Sequence, residues 1–488
     1  QLERAILIEE LQRESVVIAT GGGAAAEKDA WRADLLGGSG VLTVTLDAAP
    51  ETSLARLRAQ VVAEGDALAR PLLAGSDPLV RIAALKGHRQ AAYDRAGVTL
   101  PIDRVDAPGV ADEIAAMVRG DMAEVQLRLP HSLSRIVIEP GVLANVGSLT
   151  RETYPNARRA WVISDDGVAP HHLPAMIRSL NDAGFRCEPH VVAHGEASKS
   201  IAGASSLYDA LLTGGVERRD VIVALGGGVV GDLAGFVAAT TLRGIGLVQV
   251  PTSLLAMFDS SVGGKTGVNH AAGKNLIGAF YQPPIVVIDP MVLSTLPARE
   301  FTSGWSEVIK HAVIQPSTPQ GDRSDLWTFL ERNADSLLGR GEPAMTYLIQ
   351  RNVALKARVV EADEREAGLR AFLNFGHTIG HAIEAAGYQL LHGEAVAVGM
   401  RAAMRLGERM GTCDHSTVVR LDQLLDRYGL PTTATASPER VVELLGSDKK
   451  KQAGKQRWVL PRQGGGVALR DDVPERIVAE VLDDVLQV

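Results

Sequence analysis

Three histidines crowd the stretch NFGHTIGHAIEAAGYQLLHGEAVAVGM: His377, His381 and His392 span sixteen residues of a chain with only 12 histidines in 488 residues. His377 and His381 stand at i and i+4, so on a helix both imidazoles leave the same face. His392 opens a second helical pattern beyond the turn-like AAGYQLL. Imidazole is the commonest protein metal ligand and titrates near neutrality. The spacing therefore predicts a metal-assisted enzyme, with the three imidazoles as ligands and an open position for a substrate. Spacing also leaves room for one His as a base, with Glu307 or Glu394 as the ligand. A lone His pair on an apolar helix is usually a satisfied core pair. A third His, arriving with Glu394 among glycines, is what argues for chemistry.

A second motif is VIVALGGGVVGD, which sets Gly226, Gly228 and Gly231 in G-x-G-x-x-G spacing after a strand pattern and before a helix pattern. Small residues there let backbone amides approach a pyrophosphate at the helix N-terminus. The following strand, LVQVPTS, ends in Thr252 and Ser253, with no acid to hold a ribose. Asp165, at the end of AWVISD, offers that carboxylate instead. The reading is a nucleotide-binding α/β half that departs from the usual dinucleotide fingerprint. Cations form a third group: Lys265 in SSVGGKTGVN, Lys274 with Asn275 in AAGKNLIG, Lys310, Lys356, Arg370 and the pair Lys449–Lys450. Lysine beside glycine suits a loop closing on phosphate or carboxylate. Glu307 and Lys310, at i and i+3, read either as a surface ion pair or as a carboxylate ligand with a cation beside it.

These residues need elements to hold them. Up to about residue 120, strand-like SVVIAT and VLTVTLD alternate with helical ETSLARLRAQVVAEG, the grammar of a mostly parallel α/β layer. After a break near RGDMAE, fresh strands QLRLP and SRIVIEPG open a second α/β region that runs to about Asp289. Beyond Pro290 the apolar spacing is helical nearly throughout. The expected division is 1–120, 127–290 and 291–488, with a ligand cleft between an α/β half and an all-helical half. Net charge −8 argues against a general nucleic-acid binder. Two distant cysteines, Cys187 and Cys413, exclude a disulfide framework or a Cys-rich zinc site and suit a cytoplasmic protein. No membrane span is evident, because the longest apolar tract is broken by Asp232, Arg243 and glycines. The chain opens on Gln1, within a helical pattern and without a signal peptide, and is expected to begin inside a domain.

From about Leu127 onward the chain resembles the 3-dehydroquinate synthases, sugar-phosphate cyclases of aromatic amino acid biosynthesis. The matching runs are GGGVVGDLAGFVAATTLRG, QVPTSLLAMFDSSVGGKTGVN, GKNLIGAFYQP, SEVIKHAVI, DEREAGLRAFLNFGHTIGHAIEA and HGEAVAVGM. The resemblance implies zinc, or Co2+ in its place, on Glu307, His377 and His392, leaving His381 to handle protons and phosphate. It implies NAD against Asp165, Glu196, Lys199, Gly227, Gly228, Asp232, Thr252, Ser253 and Lys274. Lys265 and Asn275 would hold the substrate carboxylate. Lys356, Arg370, Asn374 and His381 would surround the phosphate, with Lys310, Asp259, Glu366 and a terminal lysine (Lys449 or Lys450) supporting them and Arg243 lent by a second subunit of a homodimer. The cationic cluster counts against an NAD- and metal-dependent polyol dehydrogenase. Arg370, Asn374 and His381 together favour the dehydroquinate reaction over that of a sister cyclase.

Residues 1–120 resemble the later part of shikimate kinase. Gly21, Gly22 and Gly23 in VIATGGG and Arg89 in GHRQAAYDRA, with Tyr93, match the shikimate-contacting runs, and Arg70 in ARPLLAG matches the lid. ATP and Mg2+ are implied for a complete kinase. No G-x-x-x-x-G-K-[ST] loop occurs in the sequence, and without it there is no cradle for ATP phosphates. The expectation is that upstream residues are missing from this chain or that this half is inactive.

Overall fold

The computed structural model describes the chain except at positions 1, 12, 14, 15, 21, 22, 27, 33, 34, 38, 39, 65–76, 119–122, 322–324, 367, 388, 448–455 and 488. It forms two compact units, Gln1–Arg119 with Asp322–Ala344, and Gly120–Gly321 with Met345–Val488.

In the first unit the strands β1 (Val44–Asp47) and β2 (Val98–Pro101) pair in parallel, Val44 opposite Val98. Helices Pro50–Glu64, Pro78–Tyr93 and Ala107–Val118 accompany them. Asp77 caps the second helix by accepting from the amides of Leu79 and Val80, at 3.0 and 3.3 Å, which satisfies donors that have no partner within the helix. The expected strand SVVIAT is not one: residues 16–20 carry no strand, and Val17 is 86% exposed. An apolar run becomes a strand only where a ladder partner exists, and among the described residues β1 and β2 pair only with each other.

Helix Leu326–Leu338 belongs to this first unit, although the sequence division set it within 291–488. Its Asn333 is the reason. The buried Asn333 amide accepts from Thr99 N and donates to Thr99 O, both at 2.8 Å, as a neighbouring strand would. Beside it Arg332 reaches Asp47 at 3.0 Å, and Lys86 holds the other oxygen of Asp47 at 2.7 Å. The helix thus satisfies the open side of β2 with a side chain, one way of covering a sheet edge.

The second unit is built on a seven-stranded sheet. Its strands are β3 (Ala123–Leu129), β4 (Ser132–Ile138), β5 (Arg159–Asp165), β6 (Arg186–Val192), β7 (Val221–Gly226), β8 (Gly246–Pro251) and, after the hairpin β9–β10 (Lys265–His270, Gly273–Phe280), β11 (Ile285–Ile288). The order is β3-β4-β11-β8-β7-β5-β6, parallel except for the β3–β4 pair. Every residue of β7 and β11 is buried, as a sheet covered by helices on both faces demands. Trp161, Leu207, Leu233 and Val237 form part of that packing. The chain steps from β5 outward to β6 and then back to β7 on the other side of β5. Such a reversal opens a crevice at the carboxyl ends of the strands.

The rest of this unit is mainly helical: Ala298–Ile314, Ala344–Ala362, His377–Gly387, His392–Arg409, His415–Arg427, Pro438–Ser447 and Glu475–Val485. Two short sheets qualify the all-helical expectation. Ala434–Thr435 pairs with Leu486–Gln487, and Trp458–Pro461 pairs antiparallel with Val467–Arg470. Each residue of Trp458–Pro461 is buried, and periodicity does not distinguish so short an apolar run from buried helix. Among the described residues, no helix is long and apolar enough to cross a membrane.

Asn333→Ala is expected to destabilise the first unit by about 1–3 kcal/mol, because it strands the buried N–H and C=O of Thr99. Native-state hydrogen exchange of the Thr99 amide in the full chain measures this; unchanged protection would remove Asn333 from the edge-capping role.

Candidate metal and active centre

A carboxylate with no access to water anchors the site. Glu307 sits in helix Ala298–Ile314, whose residues from Ser303 onward are all buried, and is itself 0% exposed. An isolated charge there would cost several kcal/mol. Lys310, one turn along, contacts its Oε2. His377 Nε2 lies 3.2 Å from Oε1 and His392 Nε2 lies 3.6 Å from the same oxygen. Burial works against the charge, but Lys310 and then His377 hold the carboxyl well below the usual range. Neither oxygen finds a hydrogen bond of good geometry.

Both imidazoles have their far nitrogens engaged. His377 Nδ1 faces Phe375 O at 3.1 Å, and His392 Nδ1 faces Glu384 Oε2 at 3.2 Å. These acceptors hold a proton on Nδ1 in each ring, so that Nε2 is the nitrogen a metal beside Glu307 would take, displacing any proton there. Burial disfavours a charged His392, yet Glu307 and Glu384 push it up to about 9. One carboxylate and two imidazoles whose outer nitrogens are held by acceptors is a donor set that suits a zinc-class divalent ion.

His381 stands one turn beyond His377, exposed, with ring centroids 5.1 Å from His377 and 5.5 Å from His392. The ligand nitrogens of the three histidines lie within 4.8 Å of one another. Both ligand sets left open by the sequence therefore meet in space, but only Glu307 brings buried negative charge. Glu394, the other acid considered, is turned away. It binds Arg299 at 2.7 and 2.8 Å and accepts from Leu391 N at 2.8 Å. Residues two apart on a helix do not share a face, so with the His392 ring toward Glu307 the Glu394 side chain points elsewhere.

The close approach of the two histidine-bearing helices depends on glycine. A Cβ at Gly399 would fall 2.0 Å from Gly376 O, and one at Gly380 would fall 3.0 Å from Ala395 O. Gly376 itself has φ 78° just before His377, a left-handed conformation that favours glycine.

The expected cations gather around this centre through acids. Lys356 contacts both the carbonyl and the carboxylate of Asp259, and Lys310 Nζ lies 3.7 Å from the same carboxylate. Asp259 sits on the π-turn Ala256–Ser260, a local widening frequent at functional sites. Burial pulls Lys356 down to about 8 in spite of Asp259. Lys265 pairs with Glu366 at 2.5 Å, and Asn374 donates to the other oxygen of Glu366 at 2.5 Å. Arg370, 1% exposed, donates to Gly263 O at 3.2 Å and to Glu364 O. Asn275 is exposed, with φ 55°, and its backbone N–H donates to Asn269. Arg243 is exposed on the left-handed turn Leu242–Arg243, with φ 50° and 69°.

The expected cofactor residues sit at the strand ends. Asp165 closes β5 and accepts from the amides of Gly167 and Val168, at 2.9 and 3.0 Å. Gly227 caps the helix Gly228–Thr240 that follows β7. Thr252, after β8, donates its backbone N–H to Gly226 O at 3.0 Å, and a Cβ on Gly227 would sit 3.5 Å from Ser253 Oγ. Lys199, nearly buried, pairs with Asp232 at 2.5 Å. Glu196 accepts from Asn269 at 2.6 Å. Lys274 turns from this group to Glu384, at 2.6 Å. Gly23 occupies a turn, and Arg89 and Tyr93 lie on helix Pro78–Tyr93. Gly21, Gly22, Arg70, Lys449 and Lys450 lie outside the described residues.

Sequence reasoning missed Glu384 and Asn269. Glu384 was within reach, because it stands at i+7 from His377 and so shares the face of that helix that carries His377. Asn269, between Glu196 and Asn275, has no spacing signal.

Known proteins agree with this architecture. Models of the 3-dehydroquinate synthase N-terminal and C-terminal regions match residues 189–303 and 304–451, and a shikimate kinase model matches 1–119. A 3-dehydroquinate synthase of Rippkaea orientalis is 44% identical over 364 residues, 73% of this chain and 97% of that protein. Among solved structures, a 2-epi-5-epi-valiolone synthase from Streptomyces hygroscopicus with NAD+ and Zn2+ bound superposes at TM-score 0.66 with 29% identity, covering 73% of this chain and 97% of that one. A 2-deoxy-scyllo-inosose synthase complexed with carbaglucose-6-phosphate, NAD+ and Co2+ gives 0.63 with 26% identity, covering 74% and 99%. With its sheet crevice, its buried carboxylate–histidine centre and this extent of likeness, the chain belongs to the 3-dehydroquinate synthase family and carries a fused shikimate kinase domain.

Proposed function

We propose that the chain converts 3-deoxy-D-arabino-heptulosonate 7-phosphate to 3-dehydroquinate and phosphate, with NAD and a zinc ion as resident cofactors. The observation that carries this reading is the buried Glu307 carboxylate facing two imidazole Nε2 atoms, with Lys310, Lys356 and Asp259 packed beside it. Glu307, His377 and His392 would hold the metal, for which Co2+ can substitute. When bound, the metal makes a coordinated hydroxyl more acidic and NAD takes and returns a hydride.

The chain's own residues then bind and orient. Lys265 and Asn275 hold the substrate carboxylate, and Glu366 positions Lys265 and Asn374 through its two oxygens. Lys356, Arg370, Asn374 and His381 surround the phosphate and ring oxygens. Lys310 offsets the charge of Glu307, while Asp259 fixes the ammonium of Lys356. The exposed His381, beside the ligands without joining them, moves protons at its ring nitrogens. Oxidation acidifies the adjacent C–H, so elimination needs only a weak base, for which the leaving phosphate serves. Asp165, Glu196, Lys199, Gly227, Gly228, Asp232, Thr252 and Ser253 line the NAD crevice, with Lys274 at its border. Arg243, exposed on its own chain, completes the phosphate pocket of a second subunit in a cytoplasmic homodimer. In the kinase domain Gly23 and Arg89 serve shikimate. Phosphorylation with ATP and Mg2+ needs a phosphate cradle besides.

The test supplies the heptulosonate phosphate with NAD and zinc and follows phosphate release. One phosphate per carbocyclic product without net NADH is expected; accumulating NADH would overturn the reading. In the same assay His377→Ala should lose metal and turnover, whereas His381→Ala should keep its metal and lose turnover. Equal metal loss in both would return His381 to the ligand set.

Lys356 predicts the alkaline limb of the pH profile. Its ammonium is the form that attracts phosphate, and burial sets its titration near pH 8. kcat/KM should therefore fall above about pH 8 by roughly tenfold per unit. Lys356→Arg should move that limb upward, since guanidinium stays charged; an unmoved limb would assign it to another group.

A further inference from the structure

Glu384 has no place among the ligand, substrate or cofactor residues, yet it is 9% exposed at the edge of the metal centre. Its two oxygens have separate partners. Oε2 lies 3.2 Å from His392 Nδ1, and Oε1 accepts from Lys274 Nζ at 2.6 Å. Glu384 belongs to the helix that carries His377, and Lys274 to strand β10.

The two ligand histidines are held differently. His377 Nδ1 is held by Phe375 O, a backbone atom two residues away on its own chain segment. That arrangement follows from the local turn. His392 is the first residue of its helix, so no preceding helical turn restrains its ring. Among the described residues a side chain from another helix holds its Nδ1, and that side chain is itself anchored by Lys274. A carboxylate behind a ligating imidazole fixes the tautomer, orients the ring and raises the basicity of the metal-facing nitrogen.

Resting on the metal assignment proposed above, the geometry points to Glu384 as the positioning residue of this centre: it holds His392 with Nε2 toward the metal, and Lys274 of β10 holds Glu384. Through this contact, zinc affinity depends on a residue that touches neither substrate nor the reacting atoms.

The experiment measures zinc dissociation by competition with a chromophoric chelator, in the full chain and in Glu384→Ala and Glu384→Gln. Melting of the metal-free proteins and the visible spectrum of the Co2+-loaded forms are recorded alongside. Glu384→Ala should bind zinc about 10- to 100-fold more weakly, at one ion per chain and with unchanged metal-free melting. Glu384→Gln keeps an acceptor oxygen and should lose less than Glu384→Ala, with a Co2+ spectrum close to that of the parent. If the alanine variant does not fold, the glutamine variant decides alone, and zinc affinity equal to the parent's overturns the proposal. Complete loss of stoichiometric metal from a folded glutamine variant also overturns it, since Glu384 would then be a ligand. A parent chain that takes up no zinc overturns the ligand assignment together with this inference. Normal uptake with indifferent variants overturns this inference alone.

Discussion

The Glu307 carboxylate, removed from water at the centre of a helix, is the constraint to which the surrounding site responds. A buried charge must be compensated by opposite charge and by oriented dipoles. The compensation is a chain of contacts from Lys356 through Asp259 and Lys310 to Glu307, then through His392 and Glu384 to Lys274. Each member is charged or polarised by its neighbours. Asp259 and Lys274 come from the α/β part of the second unit, and the others from its helices. Removing Glu307 or Lys310, both fully buried, would leave the other without a counter-charge, whereas Lys274 at the end of the chain of contacts reaches solvent.

The backbone is arranged so that the set can assemble. Gly376, Gly380 and Gly399 bring the two histidine helices to backbone contact, which places His377 and His392 on one carboxylate. The reversal of strand order around β5 opens the crevice where the expected cofactor residues collect. A π-turn delivers Asp259 to the helical side. Side chains larger than hydrogen at those glycines would push the two imidazoles apart before any hydrogen bond could compensate.

Much of this was legible beforehand. The strand–glycine–helix run at Gly226–Gly231 and the i, i+4 histidines depend on near neighbours in the chain and are found as read, and the helical periodicity beyond Pro290 holds except for two short sheets. Illegible features depended on distant neighbours. SVVIAT has the composition of a strand, yet among the described residues positions 16–20 find no ladder partner. Helix Leu326–Leu338 reads like its neighbours, yet Asn333 and Arg332 bind it to β1 and β2 of the first unit. Asn269 and Glu384 contact residues outside their own segments, although the i+7 spacing of Glu384 from His377 was a usable clue.

The order of the residues alone determined the types of chemistry present: imidazoles on one helical face, glycines at a strand exit, and lysines among glycines, along with the resemblance carried by those runs. Those signals are local because helix and strand periods repeat within a few residues. Which histidine nitrogens face a carboxylate, that Glu394 turns to Arg299 while Glu307 takes the central position, and that Glu384 stands behind His392 were decided only by tertiary structure. Charge compensation acts over a few ångströms in space without regard to separation along the chain. The three-histidine stretch thus announced a site, and packing around one buried acid gave its members different surroundings.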